Sequence, residues 1–135
     1  MIPKYRVWHH ELGRLMSVKY MFFQDSEIEE FELNDALMND YITAYPDEIG
    51  LMQSTGLKDK NGKEIFDGDV LEIEDEGEVL GDAKLTWDNE QAVFMIEAIS
   101  VDDIAPFHEI ISDETYSYRV VGNVYENPEL LEDKE

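Results

Sequence analysis

Turn-forming residues recur about every ten residues through most of this sequence, and this spacing constrains the fold more than any other feature. The segment 59–62, Asp-Lys-Asn-Gly, is a strong turn signal because an Asn-Gly pair tolerates positive φ. Short apolar and β-branched segments lie between the turns, at residues 70–73, 79–87, 92–99 and 116–125. We therefore predict a mainly β chain, with a partly open SH3-type small barrel of about five strands from residue 51 onward.

The N-terminal third predicts a β-meander. Its strand-like segments are residues 5–8, 15–23 and 27–33. Residues 34–45 leave two interpretations open, an irregular loop or a helix with Asn34 as its cap. The helical interpretation depends on Leu37, Met38, Tyr41 and Ile42, which recur at helical spacing.

The acidic segment 100–114 contains Pro106 and predicts a loop with at most one short helix. Asn127 followed by Pro128 predicts a short helical turn near the C-terminus. We predict one compact unit overall, in which residues 1–50 form a β-rich segment packed on the SH3-like barrel of residues 51–135.

The charge balance excludes several classes of partner. The 135 residues include 33 Asp and Glu but only 10 Lys and Arg, for a net charge of −23. Because nucleic-acid binders gain most of their affinity by neutralising phosphates, we expect no direct binding of nucleic acid, and an anionic membrane would also repel the chain. The acidity has two interpretations, which are solubility through mutual repulsion and mimicry of a polyanion that occupies a basic groove.

No cysteine is present, which excludes disulfides, thiolate metal sites and cysteine nucleophiles. An EF-hand alignment with Gly62 at its sixth position fails, because Leu57 and Gly68 then fall at the first and twelfth positions, where calcium ligands are required. We predict no catalytic, cofactor-binding or metal-binding residues and no cofactor.

Asp47 followed by Asp82 and Lys84 fits a loose pattern of metal-dependent nucleases, but a chain this acidic contains such a pattern by chance. The three histidines have no fixed ligand spacing, and we expect them to be partly exposed and without function. They are His9, His10 and His108.

Three segments of the chain carry a resemblance to one protein family. Residues 51–70, LMQSTGLKDKNGKEIFDGDV, are similar to the hallmark segment of the YopX family, whose members are small proteins encoded by bacteriophages and prophages. Residues 2–18, IPKYRVWHHELGRLMSV, resemble its N-terminal signature, and residues 120–132, VVGNVYENPELLE, resemble its C-terminal signature. Ser54 departs from the family pattern, which usually has an aromatic residue there, and the pair His9-His10 stands where an Asp-Lys-like pair is usual.

The resemblance implies an SH3-type barrel, a phage or prophage origin and the cytoplasm of a bacterial host, but no catalytic residues. We expect a non-enzymatic accessory protein that binds a host or phage protein or another copy of itself, since an open barrel leaves strand edges to pair. The alternatives are an acidic DNA mimic that inhibits a host nucleic-acid-binding protein and, more remotely, a metal-dependent nuclease. The predicted interaction surface consists of Lys58, Asp59, Lys60, Asn61, Lys63, Phe66 and Asp67.

Overall fold

A computed structural model describes residues 4–99 and 103–132 of the chain, which divides into two compact units, Met1–Gln53 and Ser54–Glu135. The first unit contains β1 (Tyr5–His9), β2 (Arg14–Gln24), β3 (Glu27–Asp35), β4 (Asp40–Ala44), a 3₁₀ turn at Pro46–Glu48 and the beginning of β5 (Ile49–Lys58). The second contains the end of β5, β6 (Glu64–Phe66), β7 (Asp69–Asp75), β8 (Glu78–Asp88), β9 (Val93–Ala98), β10 (Ile104–Pro106), α1 (Phe107–Ile111), β11 (Tyr116–Asn123) and a 3₁₀ turn at Pro128–Leu131.

The first unit is an antiparallel sheet in the order β4-β3-β2-β1-β5. The β2–β3 hairpin turns at Asp25 and Ser26, which both have positive φ, as the central residues of a type I′ turn require. One face of the sheet buries an apolar core that includes Val7, Phe31 and Leu33. The three strands predicted in the N-terminal third are therefore observed.

The helical interpretation of residues 34–45 is wrong, and so is the loop interpretation for their second half, which forms β4. Ala44 pairs with Phe31 of β3, and both side chains are buried. Leu37 and Met38, which support the helical spacing, are instead 76% and 67% exposed. Burial across the strand pair thus outweighs the helical pattern.

The second unit contains a five-stranded antiparallel sheet in the order β10-β9-β8-β7-β11. Its core includes Ile65, Leu71, Leu85 and Phe107, each at most 1% exposed. Within the described residues β10 and β11 do not pair with each other, so the sheet does not close into a barrel. The prediction of a mainly β chain is confirmed, with two antiparallel sheets.

The segment expected to be a loop with at most one short helix contains the helix α1 and also the short strand β10, while its residues 100–102 lie outside the described residues. The expected C-terminal helical turn is the 3₁₀ turn at Pro128–Leu131. The packing of residues 1–50 on the barrel stays a prediction. No helix in the described parts of the chain is long and apolar enough to span a membrane.

Candidate functional site

The turn between β5 and β6 is organised by the carboxylate of Asp59. Its Oδ1 accepts hydrogen bonds from the backbone N–H groups of Asn61 (2.9 Å) and Lys63 (2.8 Å), and its Oδ2 accepts one from Val120 of β11 (2.8 Å). Aspartate stabilises turns by accepting from nearby backbone donors. Here the same side chain, only 7% exposed, also ties the turn to the last strand.

Asp59 is charged at neutral pH in this environment. Burial by itself raises the pKa of this carboxyl, because the carboxylate loses hydration. The backbone donors of Val120, Lys63 and Asn61, with the charge of Lys63, outweigh burial and bring the pKa below its ordinary value. Asp59 is therefore an anchor of the fold.

A second turn, at residues 66–69, is closed by Asp69. Its Oδ2 accepts a hydrogen bond from the backbone N–H of Phe66 (2.8 Å), and its side chain is only 1% exposed. Gly68 between them has a φ of 91°, a backbone conformation that residues other than glycine rarely adopt. Burial and then the charge of Asp69 raise the pKa of Asp67, and backbone donors offset this in part.

The structure therefore splits the predicted interaction surface into two groups. Asp59 and Phe66 are buried and Asp67 is half-buried, so these three belong to the turns themselves. The exposed members are Lys58, Lys60, Asn61 and Lys63. Lys60 is engaged in an ion pair with Glu74 (3.0 Å). The turn brings three lysines together, but every exposed member of the predicted set is polar, and a role in binding stays a prediction.

An apolar cleft of about 270 Å³ opens on the second unit. Its floor includes the buried side chains of Ile73, Ala83 and Ile96, and its rim includes Leu80 and Ile104, which are each 58% exposed. Ligand sites are typically concave and mostly apolar, with volumes from roughly 300 Å³ upward. The cleft is thus matched to one or two side chains of a partner rather than to a large cofactor.

The walls of the cleft come from both outer strands of the sheet and from the helix. β10 contributes Ile104, β11 contributes Tyr116 and α1 contributes Ile110 to its walls. The helix packs on β11 through Phe107, whose ring meets the ring of Tyr118 edge to face with 5.4 Å between centroids. The cleft is therefore built from elements that lie far apart along the chain.

The surroundings of the cleft are acidic. Its described lining includes Asp103 and no basic residue, while Asp82, which also lines it, pairs with Glu72 and directs its carboxylate to the opposite face. Residues 85–118, which supply much of the wall, contain eight acidic residues and no Lys or Arg. An apolar floor with the carboxylate of Asp103 at its rim favours a group with an aliphatic stem and a cationic end, which is the chemistry of lysine and arginine side chains.

The opposite face of the same sheet carries ion pairs. Arg119 donates from Nε and Nη2 to the two carboxylate oxygens of Glu72 (2.9 and 3.2 Å). Its bonds with Glu72 raise the pKa of Arg119. On the same face, Nζ of Lys84 lies 3.6 Å from Oε2 of Glu97. This face therefore neutralises part of its own negative charge.

Within residues 4–99 and 103–132, no group of three or more His, Asp or Glu side chains is arranged to hold a metal ion. His9, which was expected to be partly exposed, is buried. Its Nδ1 accepts a hydrogen bond from the backbone N–H of Leu12 (3.1 Å) in the turn after β1.

Sequence reasoning missed the residues that form the rim of the cleft. Ile104 lies in a segment that was expected to be a loop, and Leu80 lies in a strand whose exposure the pattern does not reveal. One local signal was present, since Val79 and Leu80 are two adjacent apolar residues between Glu78 and Gly81 and interrupt the strict alternation of a half-buried strand.

The YopX protein family model matches residues 4–132 of this chain. Two solved structures are similar to it. Protein EF1440 from Enterococcus faecalis has 27% sequence identity and a TM-score of 0.66, with 98% of this chain and 99% of that chain covered. Protein yopX from Bacillus subtilis has 20% identity and a TM-score of 0.63, with 96% and 98% covered. Among curated proteins, none matches the sequence.

Proposed function

This chain belongs to the YopX family, and from that premise we propose that it is a non-enzymatic accessory protein of a bacteriophage or prophage that acts by binding another protein. The observation that carries the proposal is the apolar cleft of the second unit, with Leu80 and Ile104 exposed on its rim. Exposed apolar surface of this kind marks interaction sites. The proposed location is the cytoplasm of the bacterial host, with no cofactor, no membrane and no direct contact with nucleic acid.

We also propose that the second unit is a partly open barrel of SH3 type. Strands β7 to β10 form a meander, β11 returns to pair with β7, and α1 stands just before β11 in the chain. This strand order supports a rolled sheet in which β10 and β11 approach without pairing. Barrels of this type often bind peptides through surface grooves.

The chemistry of the cleft indicates what its partner presents. An apolar side chain or an aliphatic stem fills the floor and covers Leu80 and Ile104, and a basic group meets Asp103 at the rim. Burial of the apolar rim favours association, and the carboxylate favours a lysine or arginine over an acidic residue. The proposed partner is therefore a protein segment that is both apolar and basic.

A second candidate function is mimicry of a polyanion, which would block a nucleic-acid-binding protein of the host. Residues 71–135 favour it, because they carry nineteen acidic and three basic residues. Two ion pairs argue against mimicry, because they interrupt the negative surface: Arg119 with Glu72, and Lys84 with Glu97. A metal-dependent nuclease is a remote third alternative, which a blank nuclease assay with magnesium would argue against.

Val79 and Leu80 provide a matched pair of variants for the test. Their exposed fractions are 55% and 58%, but only Leu80 lines the cleft. We would capture proteins from a host lysate with wild type, Leu80→Ser and Val79→Ser, at low salt and at roughly 0.5 M salt, where charges are screened within a few ångströms.

We expect a protein that wild type and Val79→Ser retain at high salt and that Leu80→Ser loses. Equal recovery on all three chains would contradict the role of the cleft. Recovery of nucleic-acid-binding proteins alone, with release by salt, would favour mimicry.

A further inference from the structure

A bulge in β2 places aromatic side chains on the face of the first unit that points away from its core. The register with β3 shifts between Val18 and Tyr20, so Val18 packs on the core while Tyr20 points outward. In a strand without a bulge, residues two positions apart point to the same face, so the bulge is what puts these two side chains on opposite faces. Tyr20 is 52% exposed and Phe22 is 46% exposed. We call the following six residues the aromatic face: Lys19, Tyr20, Phe22, Glu30, Glu32 and Tyr41.

The rings of the aromatic face already hold a cation. The Nζ atom of Lys19 lies 3.6 Å from the ring centroid of Tyr41 and 5.3 Å from that of Tyr20. Aromatic ring faces attract cations through their quadrupole, most strongly when water is displaced. Lys19 thus shows, within one molecule, which kind of group these rings accept.

The two rings of β2 on the aromatic face each stand beside a carboxylate of β3. Tyr20 pairs with Glu32, and Phe22 pairs with Glu30. Residues directly opposite each other on neighbouring strands have Cβ atoms roughly 4.5–5.5 Å apart, so one ligand group can reach the ring and the carboxylate together. No basic side chain in the described residues forms an ion pair with either glutamate.

The two ring–carboxylate pairs repeat at a spacing that fits an extended peptide. The ring centroids of Tyr20 and Phe22 are 6.1 Å apart. Alternate side chains of an extended chain are separated by roughly 6.4–6.8 Å and point to the same side. Adjacent residues point to opposite sides and cannot occupy both pairs at once.

We propose that the aromatic face binds an extended segment of a partner protein that carries two arginines separated by one residue. Each guanidinium stacks on one ring of β2 and donates hydrogen bonds to the neighbouring glutamate, a combination that the compact ammonium of lysine does not achieve. In the free protein, Lys19 covers the ring of Tyr20 in part and yields it to the first arginine.

Charge decides between this occupant and a second copy of the chain. Residues 20–57 contain nine acidic residues and no Lys or Arg, and the whole chain carries a net charge of −23. A second copy brings further carboxylates against Glu30 and Glu32, whereas an arginine-bearing segment neutralises them. The surface belongs to the first unit, so the proposal does not depend on the cleft.

The test uses two blocked synthetic peptides of identical composition, Gly-Ser-Arg-Ser-Arg-Ser-Gly and Gly-Ser-Arg-Arg-Ser-Ser-Gly, titrated into the isotope-labelled full chain. We expect the first peptide to shift the amide resonances of residues 19–22 and 30–32 and to bind about two- to five-fold more tightly, which is the contribution of one exposed cation–π contact. Equal affinity and diffuse shifts for both peptides would overturn the proposal, because they indicate only attraction to a negative protein.

Substitutions that leave the net charge unchanged distinguish the contribution of the rings from nonspecific attraction between opposite charges. Tyr20→Ala and Phe22→Ala should each weaken binding of the first peptide about two- to five-fold. Phe23→Ala is the matched control, because Phe23 is 62% exposed but pairs with Ile28, which packs on the core. An equal loss with Phe23→Ala would contradict the assignment of the site to the outward face.

The competition by Lys19 gives a further readout. Lys19→Gln should strengthen binding more than Lys84→Gln, which removes the same charge in the other unit. If the two variants changed the affinity for the peptide equally, this would contradict the idea that Lys19 competes with the peptide for the ring of Tyr20. Leu80→Ser should leave peptide binding unchanged, which distinguishes this surface from the cleft. Self-association of the wild type in sedimentation, abolished by Tyr20→Ala, would assign the face to a second copy instead.

Discussion

Replacement of Asp59 by asparagine tests whether the hallmark turn is held by a buried carboxylate. In the wild type, three backbone N–H groups converge on its two oxygens, at 2.8 to 2.9 Å. Asparagine retains one acceptor oxygen, but its NH₂ group then faces a backbone N–H, and two donors cannot bond to each other. Alanine leaves all three donors without this partner.

The magnitude follows from the number of donors that lose their acceptor. A buried hydrogen bond to a charged group contributes about 1.5–3 kcal/mol, and losses at one site are not additive. We expect the free energy of unfolding to fall by about 2 kcal/mol for Asp59→Asn and by about 3–4 kcal/mol for Asp59→Ala. Against a typical stability of about 5–15 kcal/mol, both losses are measurable by urea unfolding.

Glu78→Gln is the charge-matched control, because Glu78 is exposed. Removal of a negative charge from a chain of net charge −23 relieves repulsion, so this control should be neutral or slightly stabilising. A loss for Asp59→Asn within about 0.5 kcal/mol of the control would refute the anchoring role.

The difference in stability between wild type and Asp59→Asn depends on pH, and the pKa of Asp59 gives the direction of this dependence. The pKa of Asp59 is lowered in the folded state, so its contribution is complete above the ordinary aspartate pKa of about 3.9 and is lost as the pH falls through the lower folded value. The stability difference between wild type and Asp59→Asn should therefore be constant near neutral pH and shrink on acidification below about pH 4.

Three further substitutions probe the second unit. Asp67→Asn should raise the stability at pH 7, because burial raises the pKa of Asp67 and the charge of its carboxylate opposes folding. The gain should disappear on acidification, and a gain that is independent of pH would argue against this cause. Gly122→Ala should lower the stability by about 1–3 kcal/mol in urea unfolding, because a Cβ there would lie 2.5 Å from Oδ1 of Asn127, and an unchanged midpoint would contradict that crowding. Phe107→Ala should lower it by about 3–5 kcal/mol, because the ring is 1% exposed and packs on Tyr118; calorimetry that finds a loss below about 1 kcal/mol would show that α1 is not part of the core.

Much of the fold could be predicted because the strand signal is local. Alternation and turn residues identify β2, β3, β8 and β9 without reference to the rest of the chain. The strand β4 could not be identified in this way, because its burial depends on Phe31 of β3 across the pair. The bulge of β11 is likewise visible only in its pairing, since the register with β7 shifts beside Gly122, where the side chain of Asn127 lies close by.

The candidate sites depend on contacts between distant residues, and for that reason the sequence revealed less of them. Asp59 was predicted to be part of an interaction surface, but it is buried, and one of its donors is Val120, which lies sixty-one positions away. The bulge that directs Tyr20 outward exists only in the register of two strands. Similarly, the lining of the cleft comes from β7 to β11 and α1, and the pattern of any one of these elements does not reveal it.

The most direct test of the proposed function is hydrogen–deuterium exchange of the full chain with and without the partner captured from the host lysate. If the cleft is the docking site, the amides of residues 80–82 and 104–105 exchange more slowly in the complex with wild type, and Leu80→Ser shows no such protection. Protection confined to the lysine-bearing turn at residues 58–63, with the cleft unchanged, would contradict the account.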